Sequence, residues 1–121
     1  MTEAQTALSR RAVACKGWRW MPGMLTDEGR RVMRVWPDDL GIKWSHLLNN
    51  RVVRDADALP NLTDPTTLNC LLTLIQEAWE PYGTFVSTHR YDGGEWSIRT
   101  LPTPMFATEA EALVAALESA P

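Results

Sequence analysis

The chain has 121 residues, of which 45% are hydrophobic, and a formal net charge of −3. That length suits a single domain, residues 1–121, built around one real core. No apolar run approaches the ~20 residues of a membrane span, and the first stretch, MTEAQTALSRR, has an acid at Glu3 and no apolar signal core. No membrane association and a cytoplasmic location are therefore expected.

The small net charge hides an asymmetry. Up to Arg54 there are ten Lys or Arg against five Asp or Glu, and beyond it two against ten, so the halves carry +5 and −8. Trp18, Trp20, Trp36 and Trp44, four of the six tryptophans, lie in the basic half. Such a split marks an anion-binding face, a self-complementary association into homo-oligomers, or two halves that neutralise each other within the fold.

In chain order, Thr2 with Gln5 forms a capping-box signature, and Leu8, Ala12 and Cys15 repeat on one face of an Ala-rich helix ending before Gly17. Next comes CKGWRWMPGML, Cys15 to Leu25, which packs two indoles, two cations, two methionines and a Pro-Gly turn into eleven residues. Trp and Arg combine large contact area with little loss of freedom, so this loop is a candidate for stacking on a flat ligand or gripping a partner. The competing reading makes Trp18 or Trp20 a plug at the end of the core, with Met21 and Met24 filling gaps. Arg30 to Trp36 has strand composition after an Asp27-Glu28-Gly29 turn, with Met33 and Val35 as inward neighbours. Leu40 to Leu48 reads as a short strand or helical turn, Arg51 to Arg54 as another strand, and Asp55 to Thr63 as a loop.

The clearest helix spans about 64–80. Asp64 suits the N-cap and Pro65 the first helical position, where its missing N–H would be unpaired anyway. Thr66, Asn69, Thr73, Gln76, Glu77 and Glu80 form one narrow polar stripe, while Leu68, Cys70, Leu71, Leu72, Leu74, Ile75, Ala78 and Trp79 fill the rest. A helix apolar over so wide an arc is expected to be the embedded centre of the fold, ended by Pro81 and Gly83. Residues 84–101 then read as a hairpin around a two-residue Gly93-Gly94 loop, which sets Tyr91 opposite Trp96 and His89 opposite Ile98. In that register Phe85, His89, Tyr91, Trp96 and Ile98 share one face, expected to pack on a helix. Thr108 and Glu111 open a last helix, about 108–119, with Ala110, Leu113, Val114 and Leu117 as its apolar stripe. Hairpins and helices without βαβ repetition predict an α+β fold, a small two-layer domain with an antiparallel sheet packed by helices.

Catalytic and metal-binding signatures are absent from the sequence: it has no Walker loop, GxSxG, HExxH or CxxC. His46 and His89 stand alone, Asp38-Asp39 and Asp55 with Asp57 read as turns and caps rather than a cation site, and Cys15 and Cys70 as reduced thiols. No catalytic residue, metal or cofactor is expected. Asn61-Leu62-Thr63 matches a glycosylation sequon but lacks a secretion context.

The stretches CKGWRWMPGM at Cys15 to Met24, GRRV at Gly29 to Val32, LPNLTDPTTLNCLL at Leu59 to Leu72 and TEAEALVAAL at Thr108 to Leu117 resemble a group of small uncharacterised phage and prophage proteins. The paired W-x-W-M-P-G-M and L-P-x-L-T-D-P signatures are the distinctive part, and the residues between Leu40 and Asp57 have no counterpart. The resemblance implies a bacterial cytoplasm and an accessory role toward host or defence components, with no activity to carry over. The expected function is therefore a non-enzymatic binding protein, an anti-defence or host-directed inhibitor. Its basic half would contact a host protein or an anionic, nucleotide-like ligand through Trp18, Arg19, Trp20, Arg30, Arg31 and Arg34. A sponge for a nucleotide signal and a virion or assembly component are the alternatives.

Overall fold

The structure, a computed structural model, describes residues 2–35, 42–44, 52–53, 58–99, 101 and 105–121, with the backbone alone at 34–35, 42–44 and 52–53. The expectations for Trp36, Asp38-Asp39, His46, Asp55 and Asp57 lie outside the described residues. The elements are helix α1 (Glu3–Val13), strands β1 (Val32–Val35), β2 (Ile42–Trp44) and β3 (Val52–Val53), and helix α2 (Pro65–Trp79). Strands β4 (Ser87–Arg90) and β5 (Trp96–Arg99) and helix α3 (Glu109–Glu118) follow. Strands β1, β2 and β3 make an antiparallel meander, while β4 and β5 form a separate hairpin on which α3 packs, giving a small α+β fold.

The helix starts follow their caps. The Thr2 side chain accepts from Gln5 N–H while the Gln5 side chain accepts from Thr2 N–H, a complete capping box. Asp64 accepts from Thr67 N–H at 2.9 Å with Pro65 at the first helical position, and Thr108 accepts from Glu111 N–H at 3.2 Å. A 3₁₀ turn over Glu80–Tyr82 follows α2, and Gly83 stops it at φ 69, a left-handed backbone that glycine tolerates.

The most embedded helix is α3 rather than α2. Ala110, Ala112, Leu113, Val114, Ala116 and Leu117 are all buried, because α1 and α2 cover one side of α3 and the β4–β5 hairpin covers another. Its alanines let these neighbours approach from outside the four-residue stripe read from the sequence. Helix α2 instead separates two apolar clusters. Leu71 and Ile75 join Leu8, Ala12, Leu62, Val86, Ile98 and the α3 residues, whereas Leu74 turns toward Trp20, Met24 and Val32. Leu68, Leu72, Ala78 and Trp79 are half-buried at the edge of the first cluster, so α2 is less enclosed than its wide apolar arc predicts. Gly17 lies so close to α3 that a Cβ there would sit 3.1 Å from the Leu117 side chain.

Two registers differ from those expected. In β1 it is Val32 that is buried, while Met33 is 58% exposed. Val32 N–H donates to Met24 O and its carbonyl accepts from Gly23 N–H, both at 2.8 Å, which pins Val32 against the preceding loop and turns Met33 outward. In the hairpin, Tyr91 N–H donates to Glu95 O and Gly94 N–H to Tyr91 O, with Gly94 at φ 83. The loop is therefore the three residues Asp92-Gly93-Gly94, a turn closed by a left-handed glycine. The extra residue pairs Arg90 with Trp96 and Thr88 with Ile98. Because side chains alternate with period two, the one-residue shift separates Phe85, His89 and Tyr91 from Trp96 and Ile98. Phe85 and Tyr91 are exposed, 70% and 42%, and the His89 and Tyr91 rings meet edge-on at 4.6 Å on the outer face.

Candidate binding surfaces

The structure describes the side chains of five of the six residues that the sequence nominated as a binding face, and they differ in burial and partners. Trp20 is 3% exposed and packs with Met24, Val32 and Leu74, so its ring is part of the core and offers no face to a ligand. Trp18 is half-buried, edge-on to Trp20 at 5.5 Å. Arg19 pairs with Glu77 at 2.6 Å, Arg30 Nε lies 3.8 Å from Glu28, and Arg31 pairs with Asp64 at 2.8 Å. The Arg34 side chain lies outside the described residues. Together with Arg11 and Glu118, these contacts join three arginines of the basic half to three carboxylates of the acidic half. Exposed pairs of this kind are worth only about 0.2–1 kcal/mol each, so they are not what holds the fold. Their consequence is electrostatic: positive charge at these positions is matched locally.

The two distinctive sequence signatures meet at one joint. Arg31 reaches both oxygens of Asp64, at 2.8 and 3.3 Å, and also donates to Gly23 O. Leu25 N–H donates to the Thr67 hydroxyl, which itself donates to Asp64. Asn61 N–H donates to Leu25 O and Asp27 N–H to Leu59 O. The Arg31 hydrogen bond, followed by those of Thr67, holds the Asp64 carboxyl below its usual range against the opposing effect of burial. This joint fastens the Trp-rich loop onto the start of α2, a structural task. Thr67, fully buried, is its least obvious member, since its hydroxyl bridges helix cap and loop by donating to Asp64 and accepting from Leu25 N–H.

A concavity of about 750 Å³ lies elsewhere, between α1 and the start of α3. Ala4, Ala7 and Leu8 form one wall, Leu62, Leu68 and Phe106 the apolar floor, and Thr108 to Glu111 the other wall. Arg11 and Glu118 tie the two helices at their C-terminal ends, and the concavity is lined by their N-terminal parts. Phe106 is held in place by paired backbone bonds with Trp96, both 2.7 Å. Ala4 continues the Leu8, Ala12, Cys15 stripe one turn toward the N-terminus and Ala7 lies beside it, yet both are exposed.

Burial raises the pKa of both Cys15 and Cys70, which disfavours the thiolate. Among the described residues no three His, Cys, Asp or Glu side chains gather where they could hold a metal ion, and no helix is long and apolar enough to cross a membrane. No known protein family, curated protein or solved structure matches the chain.

Proposed function

We propose that the chain is a non-enzymatic binding protein, a phage or prophage accessory factor directed at a host protein, and that the α1–α3 groove is its contact face. The observation that supports this reading is an apolar floor of Leu62, Leu68 and Phe106 left open beneath two short alanines. Apolar concavities of ~300–1,000 Å³ with a few polar groups at the rim are where binding energy concentrates. Contact through Trp18, Arg19, Trp20, Arg30 and Arg31, or a nucleotide sponge built on them, would have to use the half-buried Trp18 and exchange the carboxylate partners of the arginines. Trp20 is interior, and Arg19 and Arg31 each hold a carboxylate.

The test is affinity capture of host protein by the wild type, by Ala7→Trp, which fills the groove, and by the double variant Arg19→Glu, Arg30→Glu. Loss of the captured species in Ala7→Trp alone supports the groove. Loss in the arginine variant alone returns the contact to the basic loop.

A further inference from the structure

We infer that the groove accepts a basic amphipathic helix of the partner protein, an inference that rests on the groove being the contact face. The shape fits a helix. From Ala4 to Arg11 the α1 wall runs about 10 Å, roughly two helical turns, which matches apolar anchors at positions i, i+3 or i+4, and i+7 of an incoming helix. At the N-terminal end of that wall the exposed side chains are Ala4 and Ala7, both short, with Gln5 beside them and Arg11 at the far end, and helix–helix spacing is set by the side chains at the contact. An incoming backbone can therefore come close enough for its apolar side chains to reach Leu62, Leu68 and Phe106.

Charge selects among occupants of that shape. Glu109 and Glu111 line the α3 wall, and Glu3 lies in the first turn of α1 beside Ala4. Arg11, the cation of the lining, is engaged by Glu118. The two helix N-termini contribute about half a positive charge each, against the two carboxylates of the lining, so the rim stays negative. A fatty acid or an acidic peptide would set its own carboxylates against Glu109 and Glu111, whereas Lys or Arg flanking an apolar stripe would meet them. A second copy of this chain would bring further negative charge, since each carries a net −3.

The experiment titrates the full chain with a fluorescent Leu/Lys helical peptide, an isoperiodic Leu/Glu peptide and palmitate, and records sedimentation of the chain alone. The Leu/Lys peptide is expected to bind in preference to the other two and to weaken as salt rises, because rim charges are screened within about 10 Å at 0.1 M. Glu109→Gln with Glu111→Gln should lower that affinity about tenfold, with an unchanged circular dichroism spectrum. Ala7→Trp should abolish it. Equal or tighter binding of the Leu/Glu peptide or palmitate, if Ala7→Trp abolishes it, overturns the basic-helix inference and leaves the groove reading standing. A dimer dispersed by Ala7→Trp overturns the inference in favour of a second copy. Leu/Lys binding indifferent to Ala7→Trp overturns the groove reading itself, and no Leu/Lys binding at all overturns the inference.

Discussion

Arg31 and Asp64, 33 residues apart, form a two-pronged ion pair in which the same carboxylate also caps α2. One side chain therefore fixes a helix start, a loop position and the meeting of two sequence motifs. Asp64→Ala removes all three at once and is expected to destabilise the chain toward the upper end of the ~0.5–2 kcal/mol range for lost N-caps. Chemical denaturation of the two proteins measures it, and a loss of a few tenths would mean the cap is redundant.

The same pair predicts an acid limb. Asp64 has a folded-state pKa below its unfolded value, first through Arg31, so its contribution is fully present above the unfolded value, about 3.9, and is lost as pH falls through the folded one. Glu77, held down by Arg19, adds a weaker effect of the same sign because both groups are exposed. Stability should therefore fall below about pH 4, and Asp64→Asn should flatten that fall while leaving the slope between neutral pH and pH 5 unchanged. Parallel acid limbs for wild type and variant would contradict the pairing.

Position on α2 decides the cost of truncation. Ile75 is wholly buried against α3 and should cost ~2–5 kcal/mol as Ile75→Ala. Leu72 is half-buried and Leu72→Ala should cost visibly less, while Asn69→Ala on the exposed stripe should stay within about 0.5 kcal/mol. Denaturant midpoints for the three variants give the ranking, and equal costs at Leu72 and Ile75 would misplace the face that meets α3.

The hairpin loop can be tested through its two glycines. Gly94 has φ 83 and Gly93 is not among the glycines with positive φ. Gly94→Ala should cost about 1–2 kcal/mol for the left-handed backbone, whereas Gly93→Ala should be close to neutral. A two-residue type I′ loop on Gly93-Gly94 would penalise both substitutions.

Much of the fold was legible because it is written in local chemistry. Thr2 with Gln5, Asp64 with Pro65, and Thr108 mark three helix starts within a residue, since capping is decided by side chains adjacent in sequence. The hairpin register was not legible: Asp92-Gly93-Gly94 contains both a two-residue and a three-residue turn, and one residue decides which face His89 and Tyr91 occupy. The charge split of the halves was visible, yet which arginine meets which carboxylate depends on contacts over long sequence separations, as between Arg11 and Glu118. Trp18 and Trp20, alike in sequence, differ in burial: Trp20 is enclosed with Met24, Val32 and Leu74, while Trp18 packs against that cluster and stays half-buried. The groove gave little signal, because Ala4 reads as one more member of the core stripe and Ala7 as an ordinary exposed helix position, and only the tertiary structure leaves both uncovered.

The central claim is that partners meet the α1–α3 groove while the Trp-rich loop serves the fold. Amide chemical-shift mapping on the full chain, titrated with the captured partner or the Leu/Lys peptide, tests it most directly. The account predicts saturating shifts at Ala4, Ala7, Leu68, Phe106 and Glu111, with Lys16, Trp18, Arg19 and Arg30 nearly still. Shifts centred on Trp18, Arg19 and Arg30, with Ala7 and Phe106 unmoved, would contradict it.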